Sequence, residues 1–408
     1  MIILGSRTWE GTLPHAHVPI PFRASSLGGL RPFESDHYIM TTGTGVLRRT
    51  PLYDQHLAGG AKLVPFAGWH MPLHYGSQIE EHMATRQATG IFDVSHMGQI
   101  VVRGTDALEL LQRILARDIS NLRPGRQSYC VMCRQDGGLI DDLFAACLDE
   151  HQYMLVVNAA TYGNVVNHIE SLTDPYAFSD ARVEPVIEHW AMIAVQGPRA
   201  HQMLEPVIGS GPWQTQRRFR MKPHPFQNDQ IFFSSTGYTG EPGGEILCPP
   251  HLAEPIWRGL VEQGARPVGL AARDSLRLEM GLCLSGQDFT SDHNPFEAGI
   301  GWTVHVDKST PFCGQAALRE ALDRGIHRRL VCLQPEGRRI PRHGAPVLLE
   351  GHQVGEITSG SFSPYLKRPI AMGYVPAERA KPGNSFEIDL GRGHTTAAVV
   401  QAPFLKQD

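Results

Sequence analysis

The sequence predicts an α+β fold that ends in a small antiparallel β-barrel, and three features of the chain carry that prediction. Helical and strand patterns alternate through the first three quarters. Short strand patterns also follow one another directly, which disfavours a doubly wound parallel sheet. From residue 328 onward only short, turn-separated strand patterns remain.

The globular pattern starts at Leu47. Residues 107–116 (ALELLQRILA) place apolar side chains at helical spacing, with Thr105 and Asp106 as cap candidates. Residues 153–157 (YMLVV) read as a buried strand. Residues 162–172 read as a helix with Val165, Val166, Ile169 and Leu172 on one face. Residues 190–195 (WAMIAV) form a strand pattern closed by Gly197-Pro198, and 200–204 start a short helix. Residues 252–263 are amphipathic and end near Gly264. After a boundary placed at 310–327, strands are expected at 330–333, 346–349, 354–358, 371–375 and 385–388. The domain expectation is a leader at 1–46, a first region at 47–310 and a barrel at 325–405.

Length and composition restrict the function classes. A chain of 408 residues exceeds one compact core, so two or three domains are expected. Apolar residues at 41% and charged residues at 19% are ordinary for a soluble globular protein. A net charge of −4 does not suggest a nucleic-acid binder. No stretch approaches the roughly 20 apolar residues that span a bilayer. Seven sparse cysteines argue against a disulfide framework and for a reducing, cytoplasmic compartment. The first forty residues carry no sustained period, and the acids Glu10, Glu34 and Asp36 do not suit a transit peptide. They read as a disordered extension, with Met40 as a candidate start.

Cys130-Val131-Met132-Cys133 lacks the second pair that zinc would need and the helix that a redox pair would open. Gly43-Thr44-Gly45 lacks the third glycine of a dinucleotide loop. These cysteines read as strand residues, and no metal is expected.

The most informative segment is Gly137-Gly138-Leu139-Ile140-Asp141-Asp142-Leu143-Phe144. Two glycines mark a tight turn and the apolar run a strand. Strand residues alternate faces, so one aspartate shares a face with Leu139 and Leu143 and the other with Ile140 and Phe144. A carboxylate among apolar neighbours is costly unless partnered, and such placement often marks a site. The competing reading is an edge strand with both acids solvated. Alternation alone does not choose between Asp141 and Asp142. Three further segments stand out: Phe92-Asp93-Val94-Ser95-His96-Met97, the glycine-rich Gly237-Tyr238-Thr239-Gly240-Glu241 with Gly243-Gly244-Glu245, and residues 269–277, where Asp274 and Arg277 sit at i, i+3. Each has a bland alternative as a capped helix, a tight turn or an ion pair.

Together these segments resemble the glycine cleavage T-protein family over residues 47–405. The matching stretches include Arg49-Thr50-Pro51-Leu52-Tyr53-Asp54, Phe66-Ala67-Gly68-Trp69, 92–97, 137–143, Val195-Gln196-Gly197-Pro198, 237–241, 269–279, Thr358-Ser359-Gly360 and 371–376. The resemblance implies a three-domain, cloverleaf-like folate-binding fold and aminomethyltransferase activity. It implies transfer of the methylene of an S-aminomethyl-dihydrolipoyl H protein to tetrahydrofolate, with no metal. It names Asp142 as the catalytic acid, Glu245 for the pterin edge and Arg273 as a substrate-contact donor. Tyr238 and Tyr129 match folate-contacting aromatics, and Asn158 and Trp302 are weaker candidates. Implied partners are the lipoylated H protein and, indirectly, the P and L proteins, with no nucleic acid or membrane. The implied place is the bacterial cytoplasm, or the mitochondrial matrix in a eukaryote.

Two departures are visible. Pro311-Phe312-Cys313-Gly314 follows the family's F-x-G loosely, and the tail lacks a tyrosine that some relatives use. The rival readings are the folate portion of an amine-demethylating flavoenzyme and a non-catalytic folate protein of iron–sulfur maintenance. Against the first, no flavin domain precedes residue 47. Against the second, a K-G-C signature is absent.

Overall fold

A computed structural model describes residues 46–173, 177–211, 213 and 216–405. The expected leader therefore lies outside the described residues, Val46 excepted. A mixed six-stranded sheet with one parallel edge pair, an antiparallel five-stranded sheet, a short hairpin, eight α-helices and a closed barrel make up the described chain. Among the described residues no helix is long and apolar enough to cross a membrane.

The short helix Tyr53–Ala58 leads into the hairpin Lys62–Phe66 with Trp69–His74. The strand Gly90–Asp93 then enters a six-stranded sheet, ordered 221–226, 229–234, 243–248, 191–196, 90–93, 266–267. The chain leaves that sheet at once. Gly98–Arg103 belongs instead to a five-stranded sheet, ordered 127–133, 139–149, 152–157, 98–103, 182–185. It returns to the first sheet with Ala191–Gln196. Residues 94–97 are thus the crossover between two sheets, a structural reason for the acid, hydroxyl and imidazole packed into that stretch. Asp93 accepts the Ser95 N–H at 2.9 Å and faces His56 Nε2 at 2.8 Å, which holds the crossover in place.

Strand alternation places the core. On the six-stranded sheet, Ile91, Ile193, Val195 and Ile246 pack against Leu204, Leu252, Ile256 and Trp257 of the helices Ala200–Ile208 and Pro250–Glu262. The intervening Phe92, Met192, Ala194 and Leu247 face Val101, Ala146, Met154 and Val156 of the five-stranded sheet. One sheet is therefore covered by helices on one side and by its companion sheet on the other.

The C-terminal strands close in the order 328–335, 368–376, 352–363, 346–349, 385–389, 394–400. Leu333, Val347, Ile357, Val375, Phe386 and Val399 fill the interior. The barrel expected from the sequence is present, with two differences. The strand His352–Ser363 is much longer than the expected 354–358, and the register shift between Ile357 and Ser359 lets one long strand bend around the closure. The closing strand His394–Val400 (HTTAAVV) carries no clear strand pattern in the sequence, because small and hydroxylated residues blur its alternation.

The solvated-edge reading of Asp141 and Asp142 is overturned. Leu139–Asp149 is an interior strand, paired on both sides. The hairpin leading into it turns at Gly137, whose φ of +84° suits glycine.

A candidate active-site cavity between the sheets and the barrel

A cavity of about 1130 Å³ is lined by residues of both sheets, the helix Leu270–Glu279 and the barrel. That is large enough for a ligand of several fused or linked rings. Asp142, Asn158, Tyr129 and Trp302 line it, and so do Tyr238, Glu245 and Arg273. The structure thus brings together all seven residues singled out in the sequence.

Antiparallel register explains the first group. Tyr129 pairs with Phe144 and Val131 with Asp142, so Tyr129 and Asp142 are diagonal neighbours on one face. The Tyr129 phenol donates to Asp142 Oδ2 at 2.6 Å. Phe144 pairs with Val156, and the same register carried two residues further sets Asn158 against Asp142. The Asn158 Nδ2 amide donates to Asp142 Oδ1 and Asp141 Oδ1, each at 2.8 Å. The Asn158 backbone N–H adds a 3.0 Å bond to Asp141 Oδ2. Asp141 is fully buried and does not line the cavity, whereas Asp142 does. Tertiary structure therefore makes the choice that alternation left open.

Burial raises both carboxyl groups, and the neighbouring Asp142 charge raises Asp141 further. On Asp142 the bonds from Tyr129 and Asn158 oppose that rise. Burial also drives the Tyr129 phenol upward, aided by Asp142, so Tyr129 stays a neutral donor.

The second group is set by the glycine-rich loop and the helix it leans on. Gly237 has room for no side chain, since an added Cβ would lie 1.9 Å from Gln196 Oε1. Buried Arg86 pins the loop through the Thr239 carbonyl at 2.6 Å and Glu241 at 2.7 Å, and also holds Glu279 at 2.8 Å. Glu245, on Gly243–Cys248, accepts from the Thr236 hydroxyl at 2.5 Å. Burial raises its carboxyl, against the pull of Thr236 and Arg273. The Arg273 guanidinium lies over the Tyr238 ring, 4.7 Å from its centroid. Its side chain has no hydrogen-bond partner among the described residues. Burial lowers it, opposed by Glu245. The Tyr238 hydroxyl donates to the Cys283 carbonyl, which leaves its ring to the cavity.

The structure also adds residues. His96, 3% exposed, lines the cavity, and its Nδ1 has no partner among the described residues. Burial and the Arg273 charge bring its imidazole down to about 4, so it is neutral near pH 7. The segment 92–97 had stood out in the sequence, but nothing there separated His96 from Asp93 or Ser95. Thr236 and Arg86 carry no sequence signal of their own: Thr236 acts through a side-chain bond to Glu245 and Arg86 through the Thr239 carbonyl, both made only on folding. Gln196 lies in the resembling stretch 195–198, but nothing there marks the 2.9 Å bond it accepts from the Thr239 hydroxyl. The i, i+3 spacing pairs Arg277 with Asp274. That pair exists at 2.8 Å, but the guanidinium also meets buried Asp288 and the Ser359 hydroxyl of the barrel.

A ligand that offers donors and an acceptor on one ring edge would fit here: Glu245 can accept, Arg273 can donate, and His96 can do either. Residues 52–308 match the GCVT N-terminal domain, and 328–406 match the glycine cleavage T-protein C-terminal barrel domain. The chain belongs to the glycine cleavage T-protein family. An aminomethyltransferase of Rubrobacter xylanophilus is 42% identical, over 90% of this chain and 97% of its own length. One from Halothermothrix orenii is also 42% identical, over 88% and 100%. The crystal structure of glycine cleavage system aminomethyltransferase T from Bartonella henselae superposes with a TM-score of 0.82 at 36% identity, covering 88% of this chain and 98% of that one. The mixed helix–sheet body and closed barrel are those of a T protein.

Proposed function

We propose that this T-family member transfers the one-carbon unit of an aminomethyl group, carried on the dihydrolipoyl arm of H protein, to tetrahydrofolate. The observation that carries the reading is a carboxylate, Asp142, on a cavity wall with a phenol and an amide fixing its two oxygens. Tetrahydrofolate supplies the two amine nitrogens that take up the carbon. Overall, the carbon's bonds to sulfur and to its amine break, two bonds to folate nitrogens form, and the two displaced protons leave on the thiol and on ammonia.

Asp142 has two tasks in this scheme. Positive charge develops at the carbon as it parts from sulfur or nitrogen, and a carboxylate in a dry wall stabilises it. The same carboxylate accepts or relays a proton from the attacking amine. Tyr129 and Asn158 hold its oxygens so that no reorganisation is needed during transfer. Glu245 takes the donor-rich edge of the pterin and Arg273 a carbonyl or carboxylate. Tyr238 and Trp302 offer ring faces. On this reading residues 47–310 bind folate, 325–405 form the barrel domain, and the enzyme works in the bacterial cytoplasm beside the P and L proteins. One assay tests it: the protein is mixed with aminomethylated H protein and tetrahydrofolate, and methylene-tetrahydrofolate and ammonia are followed. Absence of both products refutes the reading.

A further inference from the structure

Lys308 lies outside the cavity, yet its ammonium is held by four oxygens. It donates to the Gln112 carbonyl at 2.5 Å, the Leu115 carbonyl at 2.6 Å, Gln112 Oε1 at 3.0 Å and the Arg117 carbonyl at 3.3 Å. These oxygens lie at the end of the helix Ala107–Ile114, where the last carbonyls have no partner within the helix. A cation is favoured at that end. None of the four oxygens belongs to a carboxylate, so a surface ion pair does not account for the arrangement. Fixing so flexible a side chain costs about 1.5–2 kcal/mol of rotamer freedom, which the bonds offset.

The clasp fixes the turn 301–308. The His305 N–H donates to the Ala116 carbonyl at 3.0 Å, and His305 Nδ1 accepts the Asp118 N–H at 3.3 Å, so the turn lies along residues 115–118. It opens with the 3-10 segment Gly301–Thr303, which carries Trp302. Trp302 is 60% exposed, and its ring makes two contacts that matter here. It stacks on Tyr129 at 5.6 Å with 26° between planes, and the Arg117 guanidinium lies 5.5 Å from its centroid. Lys308 holds the backbone behind both residues of that cation–ring pair: Arg117 through its carbonyl, and Trp302 through the turn they share. Tyr129 in turn donates to Asp142. A ring this exposed is placed by its backbone rather than by surrounding packing.

We infer that Lys308 is a positioning residue: it clasps the turn 301–308 to the end of the helix Ala107–Ile114 so that Trp302 stays flat on Tyr129, shields the Tyr129–Asp142 bond from water and keeps a ring face at the cavity. The use of that face by folate rests on the reading above, whereas the clasp does not.

The test therefore starts without turnover. Emission of Trp302 is taken as the difference between each protein and its Trp302→Phe counterpart, with acrylamide as quencher. Lys308→Ala and Lys308→Met should shift that emission to the red and raise its quenching. Propylammonium, the piece that Lys308→Ala removes, should reverse both changes in that variant. Tetramethylammonium, of equal charge but without an N–H, should not. By calorimetry, tetrahydrofolate affinity should fall about tenfold in both variants, what one aromatic face is worth. In the background of Trp302→Ala, Lys308→Met should cause no further loss. Unchanged emission and quenching in both variants overturn the proposal, as does a propylammonium effect no larger than that of tetramethylammonium, or additive losses of affinity. Loss of fold in both variants, judged by circular dichroism, makes Lys308 a fold element only and overturns it too. Absence of tetrahydrofolate binding by the wild type would refute the folate reading and leave the clasp to be decided by the emission.

Discussion

Tyr129 donates a hydrogen bond to the Asp142 carboxylate at 2.6 Å, across neighbouring strands and on the cavity side of the sheet. A donor to the charged form lowers a carboxyl's pKa. Tyr129→Phe keeps the ring on Trp302 and Phe144 but removes the donor. If Asp142 acts as a carboxylate, the acid limb of the pH–rate profile moves to higher pH, while turnover on the alkaline plateau changes less. A limb that stays in place separates Tyr129 from the titration.

The two aspartates should behave differently. Asp142→Asn is expected to lower kcat by about 10²- to 10⁴-fold, the range for loss of a positioned acid–base group. Asp141→Asn, one residue away but off the cavity, should lower it much less. Single-turnover rates with saturating folate decide, and a larger loss from Asp141→Asn would reverse the assignment.

Asp141 also predicts a stability profile. Burial and Asp142 raise its carboxyl above the ordinary value, so the folded state holds that proton more tightly than the unfolded state. Its contribution is present at acid pH and is lost as pH rises from the ordinary carboxylate range of about 4 through the raised folded value. Asp141→Asn should therefore flatten the fall of Tm between acid and neutral pH. An unchanged slope in thermal melts would count against a raised carboxyl here.

Arg277 and Asp288 are both fully buried and join the helix Leu270–Glu279 to the barrel, where Thr358 and Ser359 complete the cluster. Arg277→Met strands the Asp288 charge and should cost about 3–5 kcal/mol. Arg277→Met/Asp288→Leu should recover part of it. Denaturant melts of the two variants measure the difference, and a single variant as stable as the wild type would show that the pair contributes nothing.

Glu245→Gln exchanges one of the two acceptor oxygens for a donor. Loss of a charge-assisted pair to the pterin edge should weaken folate binding by about 1.5–3 kcal/mol, with little change in kcat. Titration with tetrahydrofolate checks it. Unchanged affinity would move the pterin elsewhere in the cavity.

Much of this was readable from local pattern. The strand after Gly137-Gly138, the helix Tyr162–Leu172 and most barrel strands follow from turn residues and hydrophobic period, which act over a few residues. Pattern did not reveal that His96 has an unpartnered nitrogen beside Arg273, or that Arg277 reaches past Asp274 to Asp288. Those relations join residues that are distant in sequence, or depend on which atoms are left without a partner after folding.

The sequence by itself determined that two adjacent aspartates lie on a strand and face opposite ways, because alternation is a property of any extended chain. It also determined the α+β class and the barrel. Only the tertiary structure decided which aspartate meets the cavity. That choice depends on the register with Tyr129 and Asn158, on the crossover at residues 94–97 that brings the second sheet behind the first, and on the barrel that closes the space. A carboxylate's environment is the sum of what packs around it, and no local period encodes that sum.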